Sequence, residues 1–211
     1  MYILVKTLIM KNYIIYWAYL TYYYLSINFH RLKYHNDPKL AYLYNAMLFA
    51  LIEHHKVRQR YDKKYPYFYH LNMVNKFVLK FTHLINYNIN ANLGSLFHDI
   101  LEDHHSWTYN DVKQKWGVEV ADIVFACTEL RGRNRAERHG PEYYALLKTS
   151  ELGSFVKICD VIANMTMGTM TGSSMLKKYR KDYPKFKELL YSENFKEMFD
   201  YIESNLLIDK K

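Results

Sequence analysis

The sequence predicts an all-α protein, and three observations carry that expectation. Only seven glycines and four prolines occur in 211 residues, so residues that make tight turns are scarce. Apolar residues recur at the three-to-four spacing of a helix face in one segment after another. No stretch shows the apolar–polar alternation of a half-buried strand. The length suits one domain, with room for an appendage, and is enough for a real core. Cys127 and Cys159 stand in apolar runs, which argues for a reducing, cytoplasmic setting and against a disulfide framework. The 22 tyrosines read as compositional drift, not as a functional stripe.

Residues 1–45 differ from the rest. Asn12 to Phe29 contains no charged residue but includes Trp17, Tyr13, Tyr16, Tyr19 and the triplet Tyr22-Tyr23-Tyr24. This near-span length is rich in residues that prefer an interface to a hydrocarbon centre. A secretory cleavage site is missing. Three readings stand: an extra helix packed on the domain or a partner, which we favour, an upstream-start artefact, and a membrane anchor.

From Leu43 the stripe Leu43, Met47, Leu48, Leu51 and Ile52 predicts a helix ending near Arg60, with Pro66 preventing continuation. A second helix is expected over about 70–82, with Met73, Val74, Phe77 and Val78 inward. A third should cover about 91–103. Thr108 and Asp111 form a capping pattern, Gly117 a C-terminal cap, and 118–128 a further apolar-faced helix. Residues 129–140 read as a polar loop carrying Arg131, Arg133, Arg135 and Arg138, a candidate cluster for distal phosphates. Pro141 opens the next helix, and 154–167 is apolar except for Lys157, Asp160 and Asn164. Helices over about 175–180 and 184–207 should close the chain, the latter broken near Ser192.

The run Phe97-His98-Asp99-Ile100-Leu101-Glu102-Asp103 carries the chemistry. An imidazole and a carboxylate side by side are a metal-ligand pair. Glu102 and Asp103 follow one helical turn later on the same flank, where side chains can handle a metal-bound water. Such groups are costly to bury in an apolar stretch without a purpose. Residues 1–64 hold ten Lys/Arg against three acids, so most of the +8 formal charge sits there. No nucleic-acid module accompanies it. Its downstream part adjoins the motif, which favours a phosphate-rich small molecule as partner.

Arg60 and Pro66-Tyr67-Phe68-Tyr69-His70 precede this run. Trp116-Gly117 and Lys157-Ile158-Cys159-Asp160-Val161-Ile162-Ala163-Asn164 follow it. That order resembles the HD-domain phosphohydrolases, and within them the hydrolase domain of the RelA/SpoT proteins and the small stand-alone alarmone hydrolases. The chain departs from the pattern at Trp116, where the family usually has Phe, and at 61–65, where Tyr-Asp-Lys-Lys-Tyr replaces Lys-x-Gly-x. The resemblance implies an HD-domain helical bundle over 46–170, with C-terminal helices over 171–211 packed on it and 1–45 as an extension. It implies His70, His98, Asp99 and Asp160 as metal ligands. That mixed set suits manganese, iron(II) or zinc, and the resemblance favours manganese. Glu102 and Asp103 would orient the water and move protons. Arg60 and Asn164 would contact the nucleotide, and Lys63 or Lys64 a neighbouring phosphate.

The activity so implied is removal of the 3′-pyrophosphate of (p)ppGpp-like alarmones, as in the stringent response. Two alternatives are an HD phosphatase for another nucleotide (dNTP, nucleoside monophosphate or NADPH) and a non-catalytic nucleotide-binding protein. His104 and His105 read as solvated, and His54, His55, His83 and His139 as structural.

Overall fold

The computed structural model describes residues 2–129, 133 and 135–208. Arg131 of the expected arginine cluster lies outside them. The architecture is all-α, with one minimal hairpin. Contacts divide the chain into two compact units: residues 1–72 with 103–105, and residues 73–102 with 106–211.

The first unit is built on two helices. Helix α1 (Tyr2–Lys33) packs on α2 (Pro38–Lys56). Tyr16 and Ile27 are buried, and the Tyr16 hydroxyl lies 2.8 Å from His55 Nδ1. Among the described residues no helix is long and apolar enough to cross a membrane. Helix α2 begins five residues before the expected Leu43. Asp37 accepts bonds from Lys39 N and Leu40 N, and Pro38 takes the first position, where its missing N–H costs nothing. The expected absence of strands needs one correction. The two-residue strands β1 (Arg60–Tyr61) and β2 (Tyr65–Pro66) pair antiparallel, with Arg60 opposite Pro66. Asp62 and Lys63 both adopt left-handed backbone (φ 49° and 62°), closing the turn without the glycine that usually announces it. Helix α3 (Phe68–Phe81) follows, and the division between units falls inside it.

The second unit holds the main core. The helices after α3 are α4 (Ile89–Phe97), α5 (Ile100–Asp103, whose last residue belongs to the first unit), α6 (Tyr109–Trp116), α7 (Val118–Cys127), α8 (Arg135–Arg138), α9 (Pro141–Lys148), α10 (Glu151–Thr171), α11 (Ser174–Leu190) and α12 (Lys196–Asn205). α10 is buried along most of its length, and α4, α7, α9 and α11 all pack on it. The Thr108–Asp111 capping box forms. Gly117 takes φ 95° and donates to Lys113 O, a conformation open to glycine at little cost.

Two boundaries differ from expectation. Pro184 lies inside α11 instead of starting a helix. The buried side chains Tyr183, Phe186 and Leu190 hold the segment helical across the missing N–H, tertiary burial outweighing local propensity. The expected 91–103 helix is interrupted at His98–Asp99. Glu102 N bonds Asp99 O, an i+3 link, so the chain tightens where the chemistry sits.

Gly94 of α4 faces Ile123 of α7. A Cβ there would fall well inside van der Waals contact of Ile123 Cγ2, and Ile123 is fully buried and stiff at χ1. Gly94→Ala should therefore lose about 1–3 kcal/mol to overpacking against a gain of about 1 kcal/mol in helix propensity. Urea unfolding should show a lower midpoint; an unchanged or raised one would mean the α4–α7 contact is looser than described.

Candidate metal centre

The tightened turn after α4 places His98 and Asp99, and α10 brings Asp160 to them. His98 is fully buried. Its Nδ1 lies 2.9 Å from Ser95 O. If Nδ1 carries the proton, this contact orients the ring and leaves Nε2 as the ligating nitrogen. Nε2 lies 2.9 Å from Asp99 Oδ2 and 3.7 Å from Asp160 Oδ1. Separately, the Ser95 hydroxyl accepts from Asn75 Nδ2 at 2.9 Å and donates to Asn92 O at 2.7 Å, which pins the residue whose carbonyl meets the ring.

Helix α10 contributes three residues along one flank. Lys157 Nζ lies 3.0 Å from Asp160 Oδ2. Asn164 Nδ2 donates to Asp160 Oδ1 at 2.6 Å and to Asp160 O at 3.1 Å. Burial alone would lower the Lys157 pKa, but Asp160, Tyr143, Asp99 and Glu102 hold it well above the ordinary value. The ammonium thus stays charged in the core. Burial likewise works against the charged form of His98, while Asp99 and Asp160 push its pKa well up.

Glu102 completes the cluster. Its Oε1 accepts from Glu129 N at 2.6 Å, which leaves Oε2 for chemistry. Burial raises its pKa to about 7, Asp99 adding to the rise and Lys157 opposing it. Glu129 does not compete for that proton. Although burial would raise its pKa, His139 Nε2 at 2.5 Å and Arg138 Nε at 2.6 Å help keep it down to about 2.

The donor set fits a divalent cation. Asp99, Glu102 and Asp160 stand together with one permanent cation, Lys157, to balance them. With His98 neutral, as a ligating imidazole must be, that negative charge exceeds the one ammonium and calls for a metal cation in place of the ring proton. His98 and Asp160 are also of the residue types and closeness that hold metals.

The other expected site residues belong to the first unit. His70, in the first turn of α3, is buried and stacks on Tyr61 at 4.8 Å between ring centres. Asp103 Oδ2 lies 3.9 Å from His54 Nδ1. Lys63 and Lys64 lie in the hairpin turn and at its end, Lys64 3.3 Å from Asp62. The Arg60 guanidinium sits 4.7 Å above the Tyr16 ring. His104 is not solvated as expected, because its Nε2 lies 3.1 Å from Glu53 Oε2; His105 is exposed. Of the expected arginine cluster, Arg133 pairs with Glu137 and Arg138 with Glu129.

Two residues of the centre had gone unassigned. The motif alone gives Lys157 no role, although a lysine three positions before an aspartate on an apolar helix is itself a signal. Glu129 offered no signal, since its part is played by a backbone N–H.

No family model matches the chain, and no curated protein does either. Among solved structures, a metazoan ortholog of SpoT that hydrolyses ppGpp and plays a role in starvation responses superposes with a TM-score of 0.61 at 18% sequence identity. The match covers 79% of this chain and 96% of that one. The chain therefore has the all-α fold that its HD-type motifs led us to expect, shared with this SpoT ortholog.

Proposed function

We propose that the protein is a manganese-dependent nucleotide pyrophosphohydrolase that removes the 3′-pyrophosphate of (p)ppGpp-like alarmones. The observation that carries this reading is the cluster of buried His98 and Asp160 with half-buried Asp99 and Glu102, on a fold whose solved structural neighbour hydrolyses ppGpp. His98, Asp99 and Asp160, with His70 as the fourth donor, would hold the cation. A divalent ion in such a shell supplies a water of lowered pKa and shields phosphate charge.

The chain's own residues do the rest. Glu102 Oε2 takes the proton of the attacking water; burial raises its affinity for that proton above an ordinary carboxylate's, and a nearby cation opposes the rise. Asp103 is the second proton-handling carboxylate. Water adds across the ester bond between the ribose 3′ oxygen and phosphorus, which yields a nucleotide with a free 3′-hydroxyl and pyrophosphate. Asn164 and Lys157 fix the Asp160 carboxylate from two sides. Arg60, with Lys63 or Lys64 beside it, meets the nucleotide and its phosphates; a planar guanidinium suits both stacking and bidentate pairing. Asn164 also faces the nucleotide in this reading.

Incubation of the purified protein with manganese and, separately, ppGpp, ppApp, NADPH and dNTPs tests the proposal. Pyrophosphate released from ppGpp well ahead of any product from the others is expected. Release of inorganic phosphate from NADPH, or of triphosphate from dNTPs, as the dominant reaction would replace the alarmone with that substrate. No turnover of any of them would favour a binding protein.

A further inference from the structure

The first unit contains a second feature that the metal chemistry does not use. A cleft of about 450 Å³ opens between α1 and the end of α2. Tyr13, Tyr16 and Trp17 of α1 form its aromatic side. His55 and Lys56, then Arg58 and Arg60, form the basic side, and among the described residues no acidic one lines it.

The two sides have complementary uses. Trp17 is 42% exposed and Tyr13 51%, so both rings keep open surface. Trp17 is steadied by edge contacts with Tyr13 at 5.9 Å and His55 at 5.7 Å, which pre-orders it for stacking. His55 is itself fixed by the Tyr16 hydroxyl. Lys56 has part of its charge answered by Glu53 at 2.5 Å. Arg58 and Arg60 are exposed and have no carboxylate partner among the described residues. Arg58 also holds left-handed backbone at φ 56°, a costly conformation for a residue other than glycine or asparagine. An aromatic wall facing several cations in a cleft of small-molecule size recognises a flat ring that carries a multiply charged tail.

We propose that this cleft is a binding site for a nucleoside diphosphate, the base stacked on Trp17 and the diphosphate against Arg58 and Arg60. It shares Arg60 with the proposed substrate contacts and otherwise stands apart from the hydrolase reading. Binding here needs neither a metal nor turnover.

Calorimetric titration of the full-length chain in EDTA, where no hydrolysis occurs, tests it with GDP, ADP, guanosine and pyrophosphate. GDP and ADP should each saturate one site, with guanosine and pyrophosphate at least tenfold weaker. Trp17→Leu should weaken GDP about tenfold through lost stacking. Arg58→Gln, at an exposed position, should weaken it about as much and flatten its salt dependence. Asp160→Asn should leave GDP binding unchanged. Absence of saturable GDP binding overturns the proposal, as does GDP affinity untouched by both Trp17→Leu and Arg58→Gln. Pyrophosphate binding as tightly as GDP would reduce the cleft to a plain anion patch and overturn the nucleoside half. Hydrolysis of ppGpp with manganese is measured separately, so failure here leaves that reading intact.

Discussion

Glu102→Gln is expected to bind manganese about as well as the parent and to lose roughly 10²-fold or more in turnover. Gln keeps the size of the side chain and can still accept from Glu129 N, the bond that holds Glu102 Oε1 at 2.6 Å. It cannot take a proton. The parent should show activity that rises with pH through a group titrating at or below about 7. Burial and the Asp99 charge raise this carboxyl in the metal-free protein, and a nearby cation would pull it down. The variant should lose that rising limb. The stability effect has the opposite sense. A carboxyl with its folded pKa raised above the unfolded value binds a proton more tightly when folded, so stability falls as pH rises from about 4.5 to about 7. Metal-free Glu102→Gln should therefore be more stable than the parent at pH 8. A fully active variant, or one that retains the rising limb, would remove Glu102 from the proton-transfer role.

His98→Ala should lose both metal and activity. Its ring is fully buried, and it is placed against both Asp99 and Asp160. Truncation leaves a cavity and takes away a partner from two buried carboxylates, so the metal-free variant should lose about 2–5 kcal/mol of stability. Asp160→Asn serves as the shape-preserving companion: it should fold and yet bind metal much more weakly. Metal content measured on the same samples as the rate separates these outcomes from Glu102→Gln. Normal manganese content in folded His98→Ala would place the ion elsewhere.

The elements with strong periodicity or clear caps were legible in the sequence. Pro141, the Thr108–Asp111 pair and Gly117 each mark a boundary that the structure keeps. The break at His98–Asp99 was not legible, because the apolar spacing of Phe97, Ile100 and Leu101 continues through it as if the helix were unbroken. The hairpin at Arg60–Pro66 was hidden for a different reason: its turn uses Asp62 and Lys63 in left-handed backbone with no glycine to signal it. Asp37-Pro38 was a readable start signal that the apolar stripe from Leu43 overshadowed. Pro184 shows the converse, a strong local stop signal overruled by burial.

The same division runs through the site. His98, Asp99, Glu102 and Asp160 stand out because charged side chains in apolar runs need a reason. The roles of Ser95 O and Glu129 N depend on backbone groups, and every residue has those, so no side-chain pattern points to them. Lys157 lies between these cases. Its spacing to Asp160 was visible, but only burial on both faces of α10 shows that its charge balances the carboxylates.

In the proposed function, one divalent cation sits at His98 and Asp160 and serves hydrolysis of a nucleotide. Anomalous scattering from crystals grown with manganese, recorded at the manganese edge, tests it most directly. A single strong peak is expected within bonding distance of His98 Nε2 and an Asp160 carboxylate oxygen, with Asp99 and His70 completing the shell. A manganese peak away from His98 and Asp160, in protein that hydrolyses ppGpp, would contradict it.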